Sequence, residues 1–178
     1  MLYVLSLLYF MLPAYLGNMF PLFARKIPFL NVPLDGATTC RGVRLLGPHK
    51  TMRGLIAAIL GGALAFYLQV LLYDVPLFNA LSILNYPQSP WFIGALMGFG
   101  AIWGDAVKSF FKRQCGVQPG RPWIPFDEID YSIGALLIVS PWVFVGFKES
   151  ALIIIISALF HVGANYAGYY LGIKKNKL

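Results

Sequence analysis

The stretch GDAVKSFFKRQCGVQPGRPWIPFDEIDYS, residues Gly104 to Ser132, decides how this chain is read. It is polar, and long apolar segments flank it on both sides. It holds Asp105, Asp127, Glu128 and Asp130, four of the seven acids in the protein. Charge beside a bilayer-length apolar segment is expensive to keep, so acids gathered there point to a site. Lys108, Lys112, Arg113 and Arg121 are mixed among them. Carboxylates hold a divalent cation and basic side chains neutralise phosphate oxygens, so the mixture suits a magnesium–polyphosphate site.

The flanking composition is that of a membrane protein. Hydrophobic residues make up 58% of the 178 residues and charged residues 12%, against about 25% charged in soluble domains. A crossing helix needs about 20 apolar residues. The pattern predicts an all-α polytopic membrane protein with about five transmembrane helices, folded as a single integral membrane domain over residues 1–178. The spans fall at about 1–23, 54–73, 90–103, 132–147 and 151–173, with polar loops at 24–53 and 104–131. The third helix is expected to continue past the membrane to about Arg113. A tight turn at Gly146 to Glu149 joins the last two spans. Span 1 lacks a basic leader and a small-residue cleavage site, which favours a mature helix over a signal peptide.

Basic residues set the orientation. Loop 1 carries Arg25, Lys26, Arg41, Arg44, Lys50 and Arg53, loop 2 carries four, and the tail carries Lys174, Lys175 and Lys177. Thirteen of fourteen share a side, and Lys148 stands alone on the other. The positive-inside rule places both loops and the C-terminus in the cytoplasm of a multi-pass cell-membrane protein, with the N-terminus outside. The net charge of +7 is therefore a property of one face, suited to anionic lipid heads. Nucleic acid is excluded as a partner, because no basic helix or stacking platform is free of the bilayer. Cys40 and Cys115 form no CxxC pair, and a reducing compartment disfavours a disulfide.

Helical periodicity places Asp105, Lys108, Ser109 and Lys112 on one face. The alternative is a solvated helix end with local ion pairs. Asp127 and Asp130 fall in the first turn of the next helix if Pro125 closes the preceding turn, where the macrodipole favours acids. At i,i+3 they are also spaced to share a divalent cation. Loop 1 offers Asp35-Gly36, Gly42, Gly47 and the run from Pro48 to Gly54, with Lys50 and Arg53 at the start of a helix, a natural anion site. No strand precedes it and the lysine is displaced, so it is not a Walker motif. Gly94-x3-Gly98, Gly100-x3-Gly104 and Gly168-x3-Gly172 mark close helix contacts, within the bundle or at a homodimer seam. Ser157, His161 and Asn165 form a polar stripe, read either as interhelical bonding or as a lining for a lipid phosphate.

Gly104-Asp105, Ser109, Lys112-Arg113 and the closing Asp127-x2-Asp130-x-Ser132 resemble the signature of membrane CDP-diacylglycerol synthases. Pro33-x-Asp35-Gly36 and Gly47-x2-Lys50-Thr51-x-Arg53-Gly54 look closer still to the archaeal branch, the CDP-archaeol synthases. Val117-Gln118 and Arg121-Pro122-Trp123 depart from the bacterial Lys-Asp and His-Gly-Gly, which leaves the number of metal ions open. The resemblance implies a reaction of CTP with an unsaturated archaeal ether-lipid phosphate, digeranylgeranylglyceryl phosphate, to give CDP-archaeol and pyrophosphate with Mg2+. It implies Asp105, Asp127 and Asp130 as metal ligands, and as the catalytic set together with Lys108 and Lys112. Lys50, Arg53, Ser109, Arg113, Asp35 and Gly36 are the implied nucleotide- and phosphate-binding residues. A CDP-alcohol phosphotransferase is the second reading, but its Asp-Gly-x2-Ala-Arg motif is not met here. A small transporter or scaffold is the third, and it predicts charges inside the spans rather than in the loops.

Overall fold

The computed structural model describes residues 2–40, 42–47, 49–118 and 121–170. Arg41, Pro48, the three tail lysines, Gly172, the end of the fifth span and the side chain of Asn165 lie outside the described residues. Seven α-helices are seen among them: α1 Leu2–Phe10, α2 Leu12–Ala24, α3 Met52–Leu71, α4 Pro76–Leu81, α5 Ile93–Gln114, α6 Phe126–Val139 and α7 Phe147–Tyr170, with a short 3-10 turn at Tyr86–Gln88. A small hairpin, β1 Thr39–Cys40 with β2 Val43–Arg44, lies in loop 1. The fold is thus mostly helical.

Proline chemistry shapes the first and sixth helices. Pro13 has no N–H, so the carbonyl of Tyr9 loses its donor four residues on. Gln69 on α3 supplies one instead, its Nε2 donating to Tyr9 O at 2.5 Å. The axis bends by 50° between α1 and α2. On α6, Pro141 cannot donate to Leu137, and Ser140 Oγ donates to that carbonyl at 2.8 Å. The helix ends at Val139 and residues 140–146 are not helical. The expected fourth span, 132–147, is therefore corrected: its helix starts six residues earlier, after Pro125, and stops eight earlier. Among the described residues α3, and α1–α2 if the bent pair is one span, are long and apolar enough to cross a bilayer.

Small residues set the packing. Gly94 and Gly98 on α5 face α3 at Gly62 and Ala58, and Gly98 also faces Gly17 on α2. Gly100 and Gly104 face Gly134 and the Asp130 carbonyl on α6. A Cβ at Gly98 or Gly104 collides with backbone. α5 is therefore the central helix, with α2, α3 and α6 against it and α7 against α6. Both glycine pairs of α5 are consumed inside the bundle, so they provide no seam for a second copy.

The outer faces stay apolar. Leu60, Leu64, Leu71, Leu137, Ile155, Leu159 and Phe160 are all exposed, as lipid-facing side chains are. At the end where α5 begins, Phe92 stacks edge-on with Trp91 and Trp142, and Phe144 with Phe147. Such aromatics belong at a membrane–water interface. The charged residues of α5, from Asp105 to Arg113, lie in its other half, about 18–30 Å along the helix from Ile93.

Candidate active site

α5 runs unbroken past Gly104 to Gln114, so Asp105, Lys108, Ser109 and Lys112 do share a face. α6 begins at Phe126 and carries Asp127 and Glu128 in its first turn. Asp127 is anchored there by the Trp123 N–H, which donates to its Oδ2 at 2.6 Å. The bare backbone at Gly104 lets the Asp130 carbonyl approach α5 closely. The carboxyls of both helices thereby reach the same amines. Lys108 Nζ lies 3.0 Å from Asp105, 2.7 Å from Asp127 and 2.7 Å from Asp130. Lys112 Nζ is 2.8 Å from the other Asp127 oxygen.

Loop 1 brings a third lysine. Residues 30–34 run antiparallel to 50–53, through Leu34 N to Lys50 O at 2.7 Å and Met52 N to Val32 O at 2.8 Å. Thr51 caps α3 by accepting from Gly54 N at 3.2 Å. So held, Lys50 donates to Asp105 Oδ2. Three carboxylates and three ammonium groups form one network of zero formal charge.

Its electrostatics are uneven. Burial opposes charge on Asp105, but Lys50 and Lys108 outweigh it and hold the carboxyl below the ordinary aspartate range. Burial likewise opposes charge on Asp127, and Lys108 with Lys112 prevails there too. On Asp130 burial wins, helped by the Asp105 charge, and its pKa rises to about 6. Burial works against the Lys108 ammonium, yet the surrounding carboxylates raise its pKa. Glu128 is 5% exposed and its Oε2 is buried without a hydrogen-bond partner, so burial raises it.

The donor set suits a hard divalent cation: carboxylate oxygens from three residues, all directed at one cationic centre. The spacing is that of an ammonium, however. Among the described residues no three acidic, histidine or cysteine side chains stand close enough to enclose an ion.

Two cavities meet the network from different sides. A polar one of about 700 Å³ is lined by Asn18, Arg25, Lys50, Arg53, Asp105 and His161, among others. An apolar groove of about 400 Å³ runs between α5 and α6, with Trp103, Phe111, Phe126, Ile133 and Leu137 as walls and Lys108 and Asp130 among its lining residues.

The CarS-like family, described as CDP-archaeol synthase, matches residues 1–177. This chain belongs to that family. A CDP-archaeol synthase of Methanococcoides burtonii is 36% identical over 93% of this chain and 98% of its own length. One from Methanococcus aeolicus is 30% identical over 96% and 94%. A solved structure, described as an intramembrane enzyme for archaeal membrane lipids biosynthesis, has a TM-score of 0.70 at 28% identity, covering 88% of this chain and 90% of its own.

Not every residue implied by the CDP-archaeol synthase pattern joins the network. Asp35 is 1% exposed at its side chain and accepts five hydrogen bonds: two from Arg44, and one each from the N–H groups of Ala37, Leu46 and Gly47, at 3.1–3.3 Å. The Arg44 guanidinium holds its carboxyl well below the usual range. Asp35 thus braces loop 1, and Gly36 turns beside it at φ +53. Arg113 Nη1 donates to the Val117 carbonyl at 2.5 Å, tying down the end of α5. Arg53 donates to the Ile27 carbonyl and to Asn31 while lining the polar cavity. Ser109 is buried. Ser157 takes its interhelical role: its Oγ pairs with Tyr15 OH at 2.9 Å and its carbonyl accepts from Tyr131 OH at 3.1 Å. The residues missed were Asn18, midway along α2, and Arg25, just past its end, both of which line the polar cavity. Arg25 directly after an apolar span was their visible signal.

Proposed function

We propose that this chain is a CTP-dependent cytidylyltransferase of the archaeal membrane, making CDP-archaeol and pyrophosphate from CTP and digeranylgeranylglyceryl phosphate. The observation that carries the reading is the network of three aspartates and three lysines between a polar cavity and an apolar groove, in a chain of this family. A lipid-phosphate oxygen attacks the α-phosphorus of CTP. The bond from that phosphorus to the bridging oxygen breaks, and pyrophosphate leaves with the electron pair. The nucleophile is already anionic near neutral pH, so no strong base is needed. What the residues supply is alignment and charge neutralisation.

Arg25, Lys50 and Arg53 surround the triphosphate in the polar cavity. Lys108 and Lys112 face the reacting phosphates. Asp105, Asp127 and Asp130 would hold a divalent cation, which when bound neutralises charge on the pyrophosphate. Asp35 and Gly36 act through the shape of loop 1, and Arg113 through the end of α5. The chain forms a single integral membrane domain with five crossings and both loops in the cytoplasm. The thirteen basic residues on one side and the aromatic end of the bundle support that placement.

The test is purified protein with labelled CTP and lipid phosphate in micelles. CDP-lipid and pyrophosphate are expected with CTP and not with ATP. Release of inorganic phosphate without lipid overturns the reading in favour of a hydrolase.

A further inference from the structure

One ammonium group sits where three carboxylates meet. Lys108 Nζ is within 3.0 Å of Asp105, Asp127 and Asp130, the residues assigned above to a divalent cation. Two cations cannot share that point. Magnesium needs oxygens at about 2.0–2.1 Å, whereas these carboxylates are spaced for a lysine, and among the described residues no three acids are gathered tightly enough for an ion. Lys108 must therefore leave before the carboxylates can close. Its second surrounding is the α5–α6 groove, and among the groove's described lining residues Lys108 is the sole cation. The polar cavity, by contrast, already has Arg25, Lys50 and Arg53. The other groove walls are largely apolar, which suits hydrocarbon chains. A lysine is a point charge on a four-carbon flexible stem, able to swing between two partners where an arginine fork is not.

We propose that Lys108 is an exchangeable counter-ion: it holds the three aspartates until a divalent cation takes them over, then turns to receive the phosphate of the lipid whose chains lie in the α5–α6 groove. The inference rests on the cytidylyltransferase reading and adds an order to it. The lipid phosphate gains its counter-charge only after the cation has arrived with the nucleotide. Until then Lys108 is spent on the aspartates, Asp130 included, and an acceptor phosphate in the groove finds no free counter-charge.

The first experiment measures Mn2+ binding to detergent-purified protein without nucleotide, by electron paramagnetic resonance of the free ion. Removing a competing charge in direct contact should tighten binding by about tenfold or more in Lys108→Gln. Lys112→Gln, whose lysine touches Asp127 alone, should change less. Equal or weaker binding by a folded Lys108→Gln protein overturns the proposal. The second experiment uses the unaltered chain. Amine acetylation of Lys108, read by peptide mass spectrometry, should rise on adding Mg2+ and CTP. It should fall again when a dialkylglyceryl phosphate is added in micelles, and stay high with inorganic phosphate or a phosphocholine lipid. Lys108 acetylation unchanged by Mg2+ and CTP also overturns the exchange. Protection by inorganic phosphate equal to that by the lipid overturns the groove as its destination. CDP-lipid formation by the same preparation separates the two failures: turnover without exchange sinks this inference alone, and no turnover sinks the function.

Discussion

Asp105 and Asp127 are the residues on which the assignment turns. As helix-end charges alone, each would contribute only about 0.3–1 kcal/mol to stability, and Asn in its place would leave turnover nearly intact. Their geometry says more, because each is shared between two lysines across two elements. Asp105→Asn and Asp127→Asn are expected to lower CDP-lipid formation about a hundredfold or more, with the protein still folded, since each 1.36 kcal/mol of barrier is about tenfold. A magnesium titration of the rate for each variant checks this, and wild-type rates would remove the assignment. Asp35 makes the opposite case. Its folded carboxyl is held below its unfolded pKa, so its stabilisation is complete above about pH 4 and fades as pH falls below that toward the depressed value. Asp35→Asn should destabilise loop 1 by about 1–3 kcal/mol and flatten that acid limb, as limited proteolysis across pH 3–7 would record. The face of 105, 108, 109 and 112 was legible because helical period is local. The Lys50–Asp105 pair was not, because 55 residues of chain separate its members. An Asp-Gly pair reads equally as a binding loop or a braced turn, and only the five donors around Asp35 decide between them.

At the level of elements, α5 positions the chemistry and its glycines position α5. Gly104 is one residue from Asp105 and lies against the Asp130 carbonyl, so the closeness of α6 there fixes how Asp105 and Asp130 share Lys108. Gly104→Ala forces the helices apart by overpacking, at about 1–3 kcal/mol. Catalysis should fall more than stability, because the displaced group is Asp130. Gly98→Ala makes a similar collision with the Ala58 carbonyl but farther from the charges. It should lower the melting temperature by a comparable amount with a smaller loss of kcat. Equal kcat losses in the two variants would show that the glycines serve packing alone. The sequence showed the Gly-x3-Gly spacing without naming its partner, since small residues fit a neighbour in the same chain or in another. Pro141 was the overlooked signal in the fourth span: a residue without an N–H two positions past Val139 ends the ladder, whatever the hydropathy of residues 142–145.

For the whole molecule the question is which end faces the cytoplasm. Two kinds of side chain mark the two ends of the bundle, and labelling decides which end it is. The network of Lys50, Lys108 and Lys112 marks one end of α5, and the Trp91, Phe92 and Trp142 stack marks the other. Asn79 lies on α4, in the connection from the far end of α3 to the start of α5. Arg121 lies in the connection leading into α6 at the charged end. In a background with Cys40 and Cys115 replaced by serine, single cysteines at the two positions test the arrangement in intact cells. Asn79→Cys should react with an impermeant maleimide, and Arg121→Cys only after the membrane is permeabilised. Lys148, at the start of α7, gives a second outward position that should behave as Asn79 does. The reverse pattern would put the nucleotide cavity on the outer face, away from CTP, and that would remove the cytidylyltransferase reading together with the orientation. Labelling at both ends would break the link between charge and side, because the thirteen basic residues would no longer share a compartment.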